Sequence, residues 1–228
     1  MIAFFDLDGT LLPLPSVERR LIARLLAQGQ LSLGRLSRCA LQIGIEKIKG
    51  DRWAQQRNKD YLAGLSVAEV EETARALALD LSTLLRPELL GQLEAHARNG
   101  HRIVLLTGAI EALARPIADI VCRQSTVCAT RCASQGGRFV AEPPERHPFG
   151  ADKATLARTI ARDQGVALHA CWAYGDSRHD IALLDTVGHP VAVHPDRLLR
   201  RQAERRGWPI IDDRDGTRIA PALPAHRA

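Results

Sequence analysis

The sequence predicts an α/β protein: a Rossmann-like parallel sheet with helices on both faces, plus an all-helical cap inserted after the first strand. Three observations carry this expectation. Four apolar runs, at 2–5, 103–106, 170–174 and 190–193, are too short for helices and suit strands buried on both faces. From residue 87 onward such runs alternate with segments of helical period, the pattern of a parallel sheet. Between residues 13 and 83 the period is helical and no convincing strand occurs.

Taken in order, strand 2–5 is stopped by Asp6, and Gly9-Thr10 supply a turn. Val17, Leu21, Ile22, Leu25 and Leu26 recur at helical spacing, which predicts a first helix from Ser16. A second is expected over 33–49 and a third over 52–62. Ser66 with Glu69 makes a capping-box start for a fourth, reaching about Leu79. Residues 87–98 read as a helix closed by Asn99-Gly100. After strand 103–106, a helix is expected over 109–120 and a strand over 126–130. A turn at 135–138 joins two extended pieces. Helix 152–163, strand 170–174, helix 180–187, strand 190–193, helix 197–206 and a last strand 209–211 complete the alternation. The expected organisation is a core of residues 1–12 and 84–213, a cap of residues 13–83 and a flexible polar tail, 214–228. An insert at that point sits over the carboxyl end of the first strand, the edge where open α/β sheets bind ligands.

Composition narrows the function. The 228 residues are 46% hydrophobic and 25% charged, with a formal net charge of +5. This excess is too small to argue for nucleic acid, and with 4% aromatic residues there are few stacking platforms for bases. No apolar stretch is long enough to span a membrane, and no secretory leader is legible. The five cysteines follow no paired spacing and read as reduced thiols, so a cytoplasmic location is expected. Nothing in the sequence specifies an oligomeric state.

Polar residues that can do chemistry collect at strand ends. Asp6 and Asp8 follow the first strand; two such carboxylates repel unless a cation or a proton separates them. A hard divalent cation with oxygen ligands meets that need, while two solvated turn acids are the plainer reading. Thr107-Gly108 follow the second apolar run, where a hydroxyl beside free N–H groups suits an anion or a helix N-cap. Lys153 falls in a first helical turn, against the macrodipole. Asp176 follows the third run, with Asp180 four residues on.

Asp6-Leu7-Asp8-Gly9-Thr10, Thr107, Lys153 and Gly175-Asp176 through Asp180 together resemble the four ordered motifs of the haloacid dehalogenase-like superfamily. The helical insert resembles its type 1 cap, and the fourth motif is similar to that of the phosphoserine phosphatase-like subgroup. The resemblance implies a Mg2+-dependent phosphomonoesterase acting on a small phosphorylated metabolite. Asp6 would be the nucleophile, forming an aspartyl-phosphate. Asp8 would protonate the leaving alcohol and then activate water. Thr107, with Gly108, and Lys153 would hold the phosphoryl group. Asp6, the carbonyl of Asp8 and Asp176 would hold Mg2+, with Asp180 in support. Alternatives are a lipid-phosphate phosphatase, a phosphotransferase using the same aspartyl-phosphate, and a phosphate-binding interaction module without turnover.

The cap departs from that subgroup. Pro15 stands where its members carry the glutamate that reads the substrate's amino group, and the nearest acid is Glu18. Residues 13–65 carry ten Lys or Arg against four acids, the composition of solvated helix faces or of an anion-reading lid. The sharper expectation is a preference for a more anionic or lipid-like phosphomonoester, with cations such as Arg20 and Arg24 reading it and peripheral contact with lipid headgroups kept open. Trp53 and Tyr61 are expected to pack in the cap or line its pocket. His179 is expected on a solvated helix face or at the substrate, and Trp208 in the core.

Overall fold

The computed structural model describes residues 1–48 and 59–212. Strands β1 (Ile2–Phe5), β2 (Arg102–Ile110), β3 (Thr126–Thr130), β6 (Trp172–Gly175), β7 (His189–Val193) and β8 (Ile210–Ile211) form one sheet in the order β3-β2-β1-β6-β7-β8. Every pairing in it is parallel, with β1 at the centre between β2 and β6. The remaining pair, β4 (Ser134–Gln135) and β5 (Arg138–Phe139), is a separate antiparallel hairpin. The expected α/β class, with a parallel sheet covered on both faces, is what the chain adopts.

Side-chain alternation along β1 explains the two layers. Ala3 and Phe5 point to one face and Ile2 and Phe4 to the other, and all four are fully buried. On the Ala3/Phe5 face lie α4 (Pro87–Arg98), through Leu89 and Leu93, and α5 (Glu111–Val121), through Leu113 and Ile117. On the opposite face lie α6 (Ala151–Asp163), α7 (Ile181–Leu184) and α8 (Arg197–Arg206). Small residues Ala157, Ala161 and Ala203 let these helices approach the sheet closely.

The insert supplies α1 (Val17–Ala27), α2 (Leu33–Ile48) and α3 (Val67–Leu81). Ser16 and Ser66 cap α1 and α3 by accepting from the N–H groups of Arg19 and Glu69. Leu21 and Leu25 of α1 and Val70, Ala74 and Leu77 of α3 join the same apolar cluster as α4 and α5. The β4–β5 hairpin ties itself to the insert: Gly64 N–H donates to the Phe139 carbonyl (2.7 Å), and Phe139 N–H donates to that of Leu65 (3.0 Å).

Several boundaries differ from expectation. The expected helix at 109–120 starts later, because β2 continues through Thr107 and Gly108 to Ile110, which pairs with Thr130 after a register irregularity. Helix 180–187 shrinks to a 3-10 turn, Arg178–Asp180, and the single turn of α7. Of the helix expected over 52–62, residues 52–58 lie outside the described residues, and Asp60–Leu62 is one 3-10 turn. Lys49, Trp53 and the tail at 214–228 also lie outside them. Trp208 packs on the α8 side of the sheet, its ring beneath Arg206.

Candidate active site

The carboxyl ends of β1, β2 and β6 converge on a cleft of about 680 Å³ beneath the insert. It brings together Asp6, Asp8, Thr107, Gly108, Lys153 and Asp176. Asp180 lies fully buried just behind, and its carboxylate, with those of Asp6 and Asp176, places three ligand oxygens within 4.8 Å of one another.

Lys153 organises this cluster. Its ammonium lies 2.9 Å from Asp6 Oδ1 and 2.6 Å from Asp180 Oδ1, with the side chain only 3% exposed. The two carboxylates offset both its desolvation and its unfavourable place in the first turn of α6. They push its pKa well above that of an ordinary lysine, despite burial. Asp180 is saturated: its second oxygen accepts from the N–H groups of Asp176 (3.2 Å) and Ser177 (3.1 Å) and from the Ser177 hydroxyl (3.1 Å). It therefore shapes the loop that presents Asp176.

Asp6 and Asp176 have less compensation. Burial holds both carboxyls above the ordinary carboxylate range, and mutual repulsion adds to this for Asp176. Carboxylates that resist ionisation at such spacing form an all-oxygen set that suits a hard divalent cation. Asp8 is set apart from this group. Its Oδ1 accepts from Val17 N–H (2.7 Å), the first residue of α1, so the start of the insert orients it. Burial pushes the Asp8 carboxyl up to about 6.

Thr107 is buried in the cleft wall, and its hydroxyl accepts from Ala109 N–H (3.1 Å). The N-cap position of α5 belongs to Ile110, so Thr107 does not cap that helix. Gly9 is required where it stands. Its φ of +81° favours glycine, and a Cβ there would lie 2.0 Å from Asp176 Oδ2.

The cap side of the cleft differs from the expected picture. Arg20 and Arg24 do not line it: the Arg20 guanidinium donates to the carbonyl of Pro15 (3.0 Å), and Arg24 pairs with Asp80 (2.6 Å). Geometry of the helix, with successive residues 100° apart, turns them away and leaves Arg19 at the cleft. Glu18 does line it, locked to Lys59 Nζ (2.6 and 2.8 Å) and to the Tyr61 hydroxyl (2.8 Å). Tyr61 is thus both buried and pocket-lining, and His179 also reaches the cleft, packed on Phe149. Reading of the sequence missed Lys59 and Phe149 as cleft residues, for they carry no local motif.

A family model described as haloacid dehalogenase-like hydrolase matches residues 3–185. The chain is 31% identical over 229 residues to a Streptomyces azureus protein named for inhibition of morphological differentiation, covering 97% of this chain and 82% of that one. It is 32% identical over 227 residues to a Mycobacterium tuberculosis protein named phosphoserine phosphatase, covering 96% and 72%. A solved structure from Bordetella pertussis Tohama I superposes with a TM-score of 0.76 at 25% identity, covering 92% and 97%. On the match across most of its length, and on relatives named as phosphatases, the chain belongs to the haloacid dehalogenase-like hydrolase family, on its phosphatase side.

Proposed function

We propose that the protein hydrolyses phosphomonoesters through a phosphoryl-aspartate on Asp6, with Mg2+ as cofactor. The observation that carries this reading is the disposition of two acids in one cleft. Asp6 is fixed by Lys153 through Oδ1, and Asp8 is held off the cluster by Val17 N–H with a carboxyl pushed up to about 6. This disposition supports Asp6 as the attacking group and Asp8 as the group that exchanges protons near neutrality.

In the first step a carboxylate oxygen of Asp6 attacks phosphorus and the P–O bond to the substrate alcohol breaks. Protonated Asp8 gives its proton to the departing oxygen. In the second step water attacks the phosphoryl-aspartate, its proton returns to Asp8, and phosphate leaves with Asp6 regenerated. Lys153 screens the charge of Asp6 and of the phosphoryl oxygens, and the Thr107 hydroxyl and nearby N–H groups orient them. Asp6 and Asp176, with the Asp8 carbonyl, would hold the cation, and Asp180 would fix Asp176 through the loop. When bound, the cation supplies positive charge to the phosphoryl oxygens during transfer. All five cysteines are free thiols, which suits a reducing, cytoplasmic setting. No helix among the described residues is long and apolar enough to cross a membrane.

Asp6→Asn tests the covalent step. The change is nearly isosteric, so the fold should persist while turnover of an aryl phosphate falls by about 10³-fold or more. Full turnover in protein shown by mass to be free of deamidation would exclude Asp6 as nucleophile.

A further inference from the structure

The wall that the insert presents to the cleft is mostly apolar. Helix α2 contributes Leu36, Cys39, Ala40 and Ile43, which recur at i, i+3, i+4 and i+7 and so share one helical face. Leu14 and Ile22 extend this wall. Glu18 is its one acid among the described residues, and both Lys59 and Tyr61 already engage it. A charge neutralised in this way has little left with which to bind a substrate ammonium group.

Further apolar residues of α2 lie outside the cleft. At 100° per residue, Leu33 borders the pocket stripe, while Ile48, Leu41 and Ile45 turn progressively away from it toward the opposite side of α2. They are 72%, 88%, 68% and 45% exposed, in that order. Apolar residues exposed in this way need no explanation, whereas Leu36, Cys39, Ala40 and Ile43 line the cleft itself. The cleft volume of about 680 Å³ is also in the range that a drug-sized ligand fills.

We propose that the substrate is the phosphomonoester of a single-chain amphiphile. Its phosphate sits at Asp6, and its alkyl or acyl chain runs along the apolar face of α2 toward solvent. This inference rests on the phosphatase reading of the same site and names its substrate class. Arg19, exposed at the mouth and without a side-chain ion pair among the described residues, is placed to meet a polar group near the phosphate end of the chain.

The test is a kinetic series of straight-chain monoalkyl phosphates, from ethyl to decyl, each below its micelle-forming concentration and with Mg2+ present. O-phospho-L-serine and phosphatidate in phosphatidylcholine vesicles are run beside it. The expected result is a KM that falls by about two- to fourfold per added methylene through the middle of the series, as apolar burial predicts. Decyl phosphate should exceed both phosphoserine and vesicle-borne phosphatidate in kcat/KM. The double variant Ala40→Asp/Ile43→Asn should flatten the slope, with thermal melting as the check on folding. A flat wild-type series with measurable turnover would overturn the substrate class, as would phosphoserine proving the best substrate; either would mean that the α2 face serves something other than the substrate. Faster hydrolysis of vesicle-borne phosphatidate would overturn the commitment to a monomeric single chain. No turnover of any of these esters would instead overturn the phosphatase reading beneath it.

Discussion

Gly9 and Asp176 meet so closely that a single methyl group on Gly9 would occupy the position of the Asp176 carboxylate, with 2.0 Å to Oδ2. The turn after β1 and the turn after β6 are thereby built around one another. Gly175 repeats the theme, for its missing Cβ leaves room for the Asp180 side chain, whose Cβ would lie 2.5 Å away. Asp176 can approach the first motif because Gly9 lacks a side chain, and Asp180 can fold back on the end of β6 because Gly175 lacks one.

Gly9→Ala should therefore damage the site more than the fold. Adopting φ of +81° costs a non-glycine residue about 1 kcal/mol. Displacement of Asp176 should raise the Mg2+ concentration needed for half-maximal activity by about tenfold or more, on the scale of lost support around a metal ligand. A Mg2+ titration of activity, with thermal melting alongside, reads both effects. An unchanged Mg2+ requirement would show that Asp176 is not a ligand.

Asp8→Asn should separate the two half-reactions. With an aryl phosphate the leaving group needs little protonation, so phosphorylation of Asp6 should survive in part. Activation of water still needs the carboxylate, so hydrolysis of the intermediate should slow by about 10²-fold or more. Acid quenching followed by intact-mass measurement should show phosphorylated protein accumulating in this variant and not in the wild type. Equal slowing of both steps, with no accumulation, would assign Asp8 another role.

Stability should depend on pH and metal together. Asp8 is pushed up from 3.8 to about 6, chiefly by burial. A raised carboxyl favours the fold while protonated, so its contribution is full below 3.8 and is lost as pH rises through about 6. Asp6 and Asp176 shift in the same direction for the same reason and extend the loss to higher pH. The metal-free protein should thus lose on the order of 2 kcal/mol from Asp8 alone between pH 4 and pH 8. Mg2+ should restore stability increasingly as pH rises, because it binds the ionised carboxylates. Thermal melts with EDTA or Mg2+ at pH 5 and pH 8 test this: the Mg2+-induced rise in Tm should be several degrees larger at pH 8. An equal rise at both values would dissociate the acid cluster from metal binding.

Legibility of the fold and of the site followed the range of the interactions involved. Strands and core helices were readable because Ile2–Phe5 and its counterparts owe their state to burial, which leaves a period in the sequence. The boundary at Thr107-Gly108 was misplaced because it depends on Ile110 pairing with Thr130, a contact between strands. Asp6, Thr107 and Asp176 were found through local motifs at strand ends and Lys153 at a helix start, and the cleft unites them. The roles of Arg20 and Arg24 were misread for the opposite reason. Charge counting could not tell that Arg24 serves Asp80, 56 residues away, or that Lys59 reaches back 41 residues to Glu18.

That last contact yields a prediction about specificity. Lys59 is nearly buried, its ammonium bonded to both oxygens of Glu18, while the Tyr61 hydroxyl donates to one of them. Lys59→Met keeps the apolar stem and removes the charge, leaving Glu18 with only the tyrosine and a negative charge facing the cleft. Loss of one partner of a largely buried pair should cost about 3 kcal/mol, read as a lower urea midpoint. The same change should help any substrate that carries an ammonium near its phosphate. We expect kcat/KM for phosphoserine to rise by about tenfold relative to that for butyl phosphate, a ratio unaffected by a general loss of active protein. Lys59→Met/Glu18→Gln should abolish the gain, since the freed charge is then gone. A ratio unchanged in the single variant would show that Glu18 lies out of reach of the bound substrate, whatever its place on the wall.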